Sequence, residues 1–367
     1  MLSPLATGRR KTPRAGRAAA ALVTALRAGI SEGRIAAGQF LPTERELSAE
    51  HGLARMTVRR ALRALERDGL VAIEPRHGCR VLSAANDPRR GCPVAHVFAT
   101  GSHQERLDAT HQHLHLALRE VLAARGWSML EVHMSGRPGA EVLEQLRTAR
   151  AWGMIIDAAD PKLLRLIRDS GAPAVLVDAW NEDSPLDAVL QNSYQGGFLA
   201  ARHLLDRGHT RIVWFGPVAE SSFSRERFGG AVAAIGAAGL DLPVSQRIDT
   251  SGRDAEAVAL EMLSRPDRPR AILALWSGLA VAVVAAARRL GLVPGRDLDL
   301  VGWAIEEQYD AYAAEFAGAP VPPTVVWSSS DMARMAVARL ADRQANPQLP
   351  PMRIDVAAKL KMGREKP

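Results

Sequence analysis

Arg55, Thr57 and Arg59 crowd the start of a stretch in which Val58, Leu62 and Leu65 recur at helical spacing. Facing away from Val58 and Leu62, these three could read a base edge. Arginine bonds guanine through two parallel hydrogen bonds, and nearby cations meet phosphates. Taken singly, each arginine reads equally well as part of a solvated helix face. Two other groups invite chemistry and do not sustain it. Of His103, His111, His113 and His115, only His111 and His115 share a helical face, and no Cys or carboxylate clearly completes a metal site. Ser221, Ser222 and Ser224 lack a nucleophile elbow and a base placed by spacing, so catalysis has no support. The pairs Gly196-Gly197 and Gly229-Gly230 are too isolated to be phosphate loops. No cofactor is implied.

Charge distribution favours the first reading. The 367-residue chain carries a net charge of +7. Residues 1–90 hold 17 Lys and Arg against 8 Asp and Glu, while the remainder holds 30 against 32. One basic end on a near-neutral body suits a polyanion-binding module joined to something else. With 47% hydrophobic and 24% charged residues, there is ample material for two or three folded units. Cys79 and Cys92 form no disulfide framework or metal spacing, which points to a reducing compartment. Arg9, Arg10 and Lys11 before the apolar run 18–26 imitate a secretory signal faintly, but Arg27 interrupts the run and no small-residue cleavage site follows. No run reaches the ~18–20 apolar residues that a membrane helix needs. The expectation is a cytoplasmic protein with no membrane partner.

The basic end must position its arginines on helices. Residues 1–17, rich in Pro, Gly and Arg, form an arm, and helical periodicity begins at residue 18. Thr43 with Glu46 three residues later makes a capping box for a second helix over 43–51, ended by Gly52. A third helix spans 56–68. Strands over 70–74 and 78–82 then flank Pro75-Arg76-His77. Three helices and a basic hairpin make a winged helix-turn-helix over 18–84, followed by a linker at 85–93. The runs Leu41-Pro42-Thr43-Glu44-Arg45-Glu46-Leu47, Thr57-Val58-Arg59-Arg60-Ala61-Leu62 and Leu65-Glu66-Arg67-Asp68-Gly69-Leu70 resemble the DNA-binding domain of GntR-family regulators. The resemblance implies that Arg45, Arg55, Thr57 and Arg59 touch DNA. It also implies that Arg76, His77 and Gly78 form a wing tip entering the minor groove. Ala54 stands where the family has Ser or Thr, and Arg76 where the wing has glycine.

From residue 94 onward, short apolar strands (94–99, 128–133, 153–157, 174–178, 188–190, 211–215, 271–275, 298–302) alternate with helical stretches. Such alternation predicts parallel sheets with helices on both faces and a ligand beyond the strands' carboxyl ends. The run from Gly197 to Ile212, the stretch Arg225-Glu226-Arg227-Phe228-Gly229-Gly230, and the pairing of Leu290-Gly291-Leu292-Val293-Pro294 with Leu300-Val301-Gly302-Trp303 resemble the effector domain of LacI-family repressors. That domain is itself similar to periplasmic sugar-binding proteins. The expected fold is therefore an N-terminal winged helix-turn-helix plus a two-lobed, periplasmic-binding-protein-like α/β domain over 94–367. Its lobes are expected at 94–190 with 304–324 and at 191–303 with 325–367. The hybrid is similar to arabinose-type repressors.

The resemblance makes Arg227 the ligand-binding arginine and leaves Asn192 as part of an Asp-Asn element. The family's Asn-Asp pair is replaced by Trp276-Ser277, and a carboxylate by Ala304. Losing acceptors for sugar hydroxyls should turn the pocket toward a different ligand. Trp276 and Trp303 either stack on a ring or belong to the core. His103, following the first strand where the cleft opens, could touch an effector. Together these readings predict a homodimeric regulator, a repressor by default. It would bind a palindromic double-stranded DNA operator under control of a small molecule, a sugar or sugar-like compound. The alternatives are a metabolite-binding protein without DNA contact, or a regulator with a degenerate pocket.

Overall fold

The computed structural model describes residues 14–31, 34–35, 38–67, 70–74, 78–81, 92–98, 109–134, 137–157, 161–179 and 186–363. Residues 1–13 of the arm expected over 1–17, most of the linker, and Arg76, His77 and His103 lie outside them. The chain divides after Pro93 into two compact units.

The first unit carries α1 (Arg14–Ser31), α2 (Glu44–Glu50), α3 (Arg55–Arg67), β1 (Val71–Glu74) and β2 (Gly78–Val81). α1 begins four residues before the expected start. The capping box forms as the sequence requires. The Thr43 hydroxyl accepts from the Glu46 amide at 3.3 Å, and the Glu46 carboxylate accepts from the Thr43 amide at 2.8 Å. Gly52, at φ +61°, releases the chain toward α3. Leu22 and Leu26 of α1, Leu47 of α2 and Val58, Leu62 and Leu65 of α3 share one core with Val71 and Val81. Each such side chain contributes roughly 1.5–3 kcal/mol on burial. β1 and β2 pair antiparallel from Val71–Val81 to Glu74–Gly78. Residues 38–41 run alongside, with Leu41 donating to the Cys79 carbonyl and Val81 to that of Gln39.

The second unit holds β3 (Val94–Phe98), α4 (Ala109–Ala123), β4 (Met129–His133), α5 (Gly139–Thr148), β5 (Gly153–Asp157), α6 (Pro161–Ser170), β6 (Ala174–Val177) and β7 (Asp187–Gln191). It continues through α7 (Ser193–Asp206), β8 (Val213–Phe215), α8 (Ser222–Ala237), β9 (Arg247–Ile248), α9 (Ala255–Leu263), β10 (Ala271–Ala274), α10 (Ser277–Arg289), β11 (Asp299–Ile305), α11 (Tyr309–Ala314), β12 (Thr324–Trp327), α12 (Ser329–Ala345), β13 (Arg353–Val356) and β14 (Lys359–Lys361). Two six-stranded sheets result, ordered β13-β7-β6-β5-β3-β4 and β14-β12-β11-β10-β8-β9. All pairings are parallel except β12 with β14. The expected division between lobes is corrected here. Residues 304–324 belong to the second sheet, because β11 continues to Ile305 and pairs with β12. Residues 353–356 belong to the first, paired with β7. The chain therefore crosses between lobes after β7, after β12 and between β13 and β14.

Buried charge pins α12 to the first lobe. Asp187, 1% exposed, accepts at 2.8 Å from Arg339, from Arg343 and from the Met352 amide. In the second lobe, Arg207 and His209 both bond Asp299, at 2.8 and 2.6 Å, and tie the end of α7 to β11.

Candidate DNA-binding face and ligand cleft

Arg45 on α2 and Arg55 and Arg59 on α3 are all exposed. The capping box sets the start of α2, and the buried stripe Val58-Ala61-Leu62-Leu65 turns these arginines toward solvent. Arg59 is held by Glu44 through two bonds of 2.8 Å, one from Nε and one from an Nη. Those bonds hold the Glu44 carboxyl below its ordinary range. The bidentate fork that could meet a guanine edge is thus already aligned by a carboxylate. Thr57 differs from expectation. It is 9% exposed, because it lies one turn before the fully buried Ala61, on the flank of the apolar stripe. Gly78, at φ +112°, pairs with Glu74 at the last described step of the hairpin. The neighbouring Arg80 bonds Glu74 at 2.5 Å.

In the second unit a cavity of about 740 Å³ opens at the carboxyl ends of the strands. Arg227, Trp276, Ser277 and Trp303 all line it. Arg227 occupies its floor, 2% exposed, between two indoles: its guanidinium carbon lies 3.6 Å from the Trp303 ring centre and 4.2 Å from that of Trp276. It donates to the Leu275 carbonyl at 2.7 Å and to Gln191 Oε1 at 2.5 Å. Gln191 in turn donates to Asp178 at 2.9 Å. Burial pulls the Arg227 pKa well down, and the Asp178 charge opposes it.

Helix packing seats this arginine. A Cβ on Gly197 would meet the Arg227 carbonyl at 1.9 Å, one on Gly230 the Tyr194 carbonyl at 2.0 Å, and one on Gly196 the Trp303 ring at 2.1 Å. Of the four glycines dismissed as phosphate loops, Gly196, Gly197 and Gly230 are the places where α7, α8 and Trp303 touch. Ser221 and Ser224 form the capping box that starts α8, with bonds of 3.1 and 2.8 Å.

Asn192 takes a different place from the one expected, and Trp303 takes the core reading of its two while still lining the cavity. Asn192 caps α7, its side chain accepting from the Gln195 amide at 2.9 Å, while its neighbour Gln191 reaches the cavity. Trp303 gives one face to Arg227 and packs its benzo edge on Gly196, so it serves chiefly as a wall. Sequence reasoning missed Asp178, Gln191, Glu220, Phe223, Tyr312, Glu315 and Trp327, which also line the cavity. The signal for Asp178, Gln191 and Trp327 was their place at the carboxyl end of a strand; the others carry no local signal. His115 meets Glu131 and the buried His96, each at 3.1 Å. Among the described residues no three His, Cys, Asp or Glu could hold a metal ion. No helix of the described residues is long and apolar enough to cross a membrane.

A bridge between lobes runs beside Arg227. Glu226 on α8 takes both Nη groups of Arg353 on β13, at 2.6 and 2.8 Å. Phe223 packs against the core of the first lobe.

Comparison with known proteins agrees with both halves. Residues 18–81 match the bacterial regulatory proteins of the gntR family, and residues 201–364 match a periplasmic binding protein-like domain. The HTH-type transcriptional repressor PurR of Photobacterium profundum is 31% identical over 169 residues, 44% of this chain and 50% of that protein. PurR of an Escherichia coli strain is 27% identical over 245 residues, 65% of this chain and 69% of that protein. The chain thus spans half to about two thirds of the length of these relatives. The solved complex of the transcriptional regulator CelR with cellobiose superposes with a TM-score of 0.62 at 19% identity, covering 88% of this chain and 99% of that one. The chain thus joins a domain that matches the gntR-family bacterial regulatory proteins to a two-lobed unit that matches a periplasmic binding protein-like domain.

Proposed function

We propose that this chain is a sequence-specific transcription regulator, a repressor acting as a homodimer on a palindromic operator, with affinity set by a small molecule in the interlobe cleft. The observation that carries the reading is the joining of two sites in one chain. Exposed Arg45, Arg55 and Arg59 sit on a gntR-type helix pair, and a built cavity floored by Arg227 sits in the other unit. The relatives named PurR are repressors, and cellobiose in CelR supports a sugar or sugar-like effector.

The wing residues Arg76, His77 and Gly78 complete the proposed DNA contacts, with Thr57 in a supporting place beside the phosphates. In this reading Arg59 exchanges Glu44 for a base edge when DNA arrives. The effector acts only through different affinity for the DNA-competent and DNA-incompetent states. The chain Arg227–Gln191–Asp178 and the Glu226–Arg353 pair connect the cleft to both lobes, so occupancy and lobe geometry are coupled.

Selection from random duplexes with the purified protein, followed by titration of Arg59→Ala on the selected sequence, tests this. Loss of about 1–3 kcal/mol of specific affinity with relaxed base preference is expected. A selection that returns no common sequence would overturn the regulator, and unchanged affinity in Arg59→Ala would remove the recognition-helix assignment.

A further inference from the structure

Arg227 and Trp303 line a second, small cavity as well as the cleft. It measures about 10 Å³, room for one water-sized atom or ion, and lies between α7 and the face of the second sheet that α7 covers. Trp214 on β8, Leu273 on β10 and Val301 on β11 stand in one row across that face, and Trp303 follows Val301 by two residues. Trp214 joins Arg227 and Trp303 in the lining, and every other lining residue is Gly, Ala, Val or Leu. Arg227 Nε, Trp214 Nε1 and Trp303 Nε1 are all buried without a hydrogen-bond partner. Each is an N–H that can only donate, and a buried donor left unmade is both rare and costly. Arg227 adds a charge. Among the described residues no carboxylate bonds its guanidinium directly, and Asp178 reaches it through Gln191. A buried cation ordinarily has a charged partner at hand.

A water molecule would accept from these donors and then need acceptors for its own two hydrogens. The lining has no acceptor side chain. Strand carbonyls point along the sheet to their neighbours, those of α7 bond within the helix, and the Leu275 carbonyl already accepts from Arg227. A monatomic anion accepts from all three N–H groups and sets a negative charge beside the guanidinium. We propose that this cavity binds a monatomic anion of about the size of chloride, held by Arg227 Nε and by the indole N–H groups of Trp214 and Trp303. The Nη groups of Arg227 stay on Leu275 and Gln191, so the ion completes the bonding of the arginine without occupying the larger cleft. The site goes beyond the effector reading and does not depend on it.

Thermal melts of the full chain test it, with sodium gluconate replaced stepwise by sodium chloride at constant ionic strength. Gluconate is too large for the cavity, so general salt effects cancel. Chloride should raise the melting temperature saturably, by about 2–5 °C at the plateau. Trp214→Phe keeps a ring in place and removes one donor. Whatever its own starting stability, its response should need about tenfold or more chloride to reach the same midpoint. Crystals of the parent protein grown in sodium bromide give a reading that needs no variant. An anomalous bromine signal should lie among Arg227 Nε and the two indole nitrogens. A melting temperature indifferent to chloride overturns the proposal, as does a chloride response that Trp214→Phe retains in full. A cavity without bromine signal overturns it too, and assigns any chloride response to the surface. Neither measurement involves DNA or an effector, so this proposal and the regulator reading stand or fall separately.

Discussion

Gly229→Ala and Gly230→Ala, adjacent on α8, should have opposite effects. A Cβ at Gly230 would lie 2.0 Å from the Tyr194 carbonyl oxygen and 2.9 Å from the Phe198 amide nitrogen, both backbone atoms of α7 that cannot rotate aside. Ordinary carbon–oxygen contact needs about 3.3 Å, so the helices must part by more than about 1 Å. Overpacking of this kind costs about 3 kcal/mol at the upper end of the usual range, against a gain of about 1 kcal/mol in helix propensity. The net loss is about 2 kcal/mol, or a fall in melting temperature of roughly 4–8 °C for a unit of this size. At Gly229 the nearest atoms are 3.9 and 4.0 Å away on the Tyr194 ring, which is ordinary contact. There the helix propensity is gained without a clash, and Gly229→Ala should stabilise by about 0.5–1 kcal/mol. Parting α7 from α8 also moves Arg227 from Gln191 and Leu275, so Gly230→Ala should weaken ligand binding where Gly229→Ala does not. Thermal melts of both variants beside the parent protein decide the matter. Equal stability of the two would refute the claim that close helix contact seats Arg227.

Asp187→Ala removes the shared acceptor of Arg339 and Arg343 and leaves two guanidinium groups in the interior. Urea unfolding should show a loss of about 3–5 kcal/mol in the larger unit, and a loss below about 1 kcal/mol would contradict the buried triad. Burial opposes ionisation of Glu307, yet bonds from Ser328 at 2.5 Å and from the Ser330 and Ser329 amides at 3.0 and 3.1 Å outweigh it and hold its pKa below the ordinary glutamate value of 4.5. Its contribution is therefore present above pH 4.5 and lost as pH falls through the lower folded value. Glu307→Gln should cost up to about 1 kcal/mol near neutrality, partial exposure limiting the figure, and the gap from the parent should close in acid. A gap that widens below pH 4.5 would reverse the sign of the argument.

The DNA-binding unit was legible nearly throughout because its signals are local. Thr43 and Glu46 cap across three residues, Gly52 turns the chain, and Val58, Leu62 and Leu65 mark one face. Thr57 escaped, since a residue on the flank of an apolar stripe turns in or out according to its neighbours, and so did the first turn of α1 from Arg14. In the larger unit the strands with strong apolar runs were found, whereas β9, β12, β13 and β14 were not. Each has two to four residues, and each draws its identity from a distant partner: β9 from β8, β13 from β7, β14 from β12. That is why the lobe boundaries came out exchanged near the C-terminus. In the cleft, Arg227 was legible from its motif. Gln191 was missed by one position: the residue that ends β7 reaches the cavity, and the next, Asn192, caps α7. Glu220 and Glu315 arrive in the cleft from separate loops, and no spacing in the chain announces them.

The central claim is that one chain reads a DNA sequence and senses a small molecule. Fluorescence-anisotropy titration of the full-length protein against DNA from upstream of its own gene, beside a scrambled duplex of equal length, tests it most directly. It should be run at two salt concentrations, with and without a small molecule that occupies the cleft. The account predicts tight binding that prefers the upstream duplex, weakens as salt rises, and changes when the cleft is filled. Equal, weak binding to both duplexes, unchanged by any ligand that occupies the cleft, would contradict it.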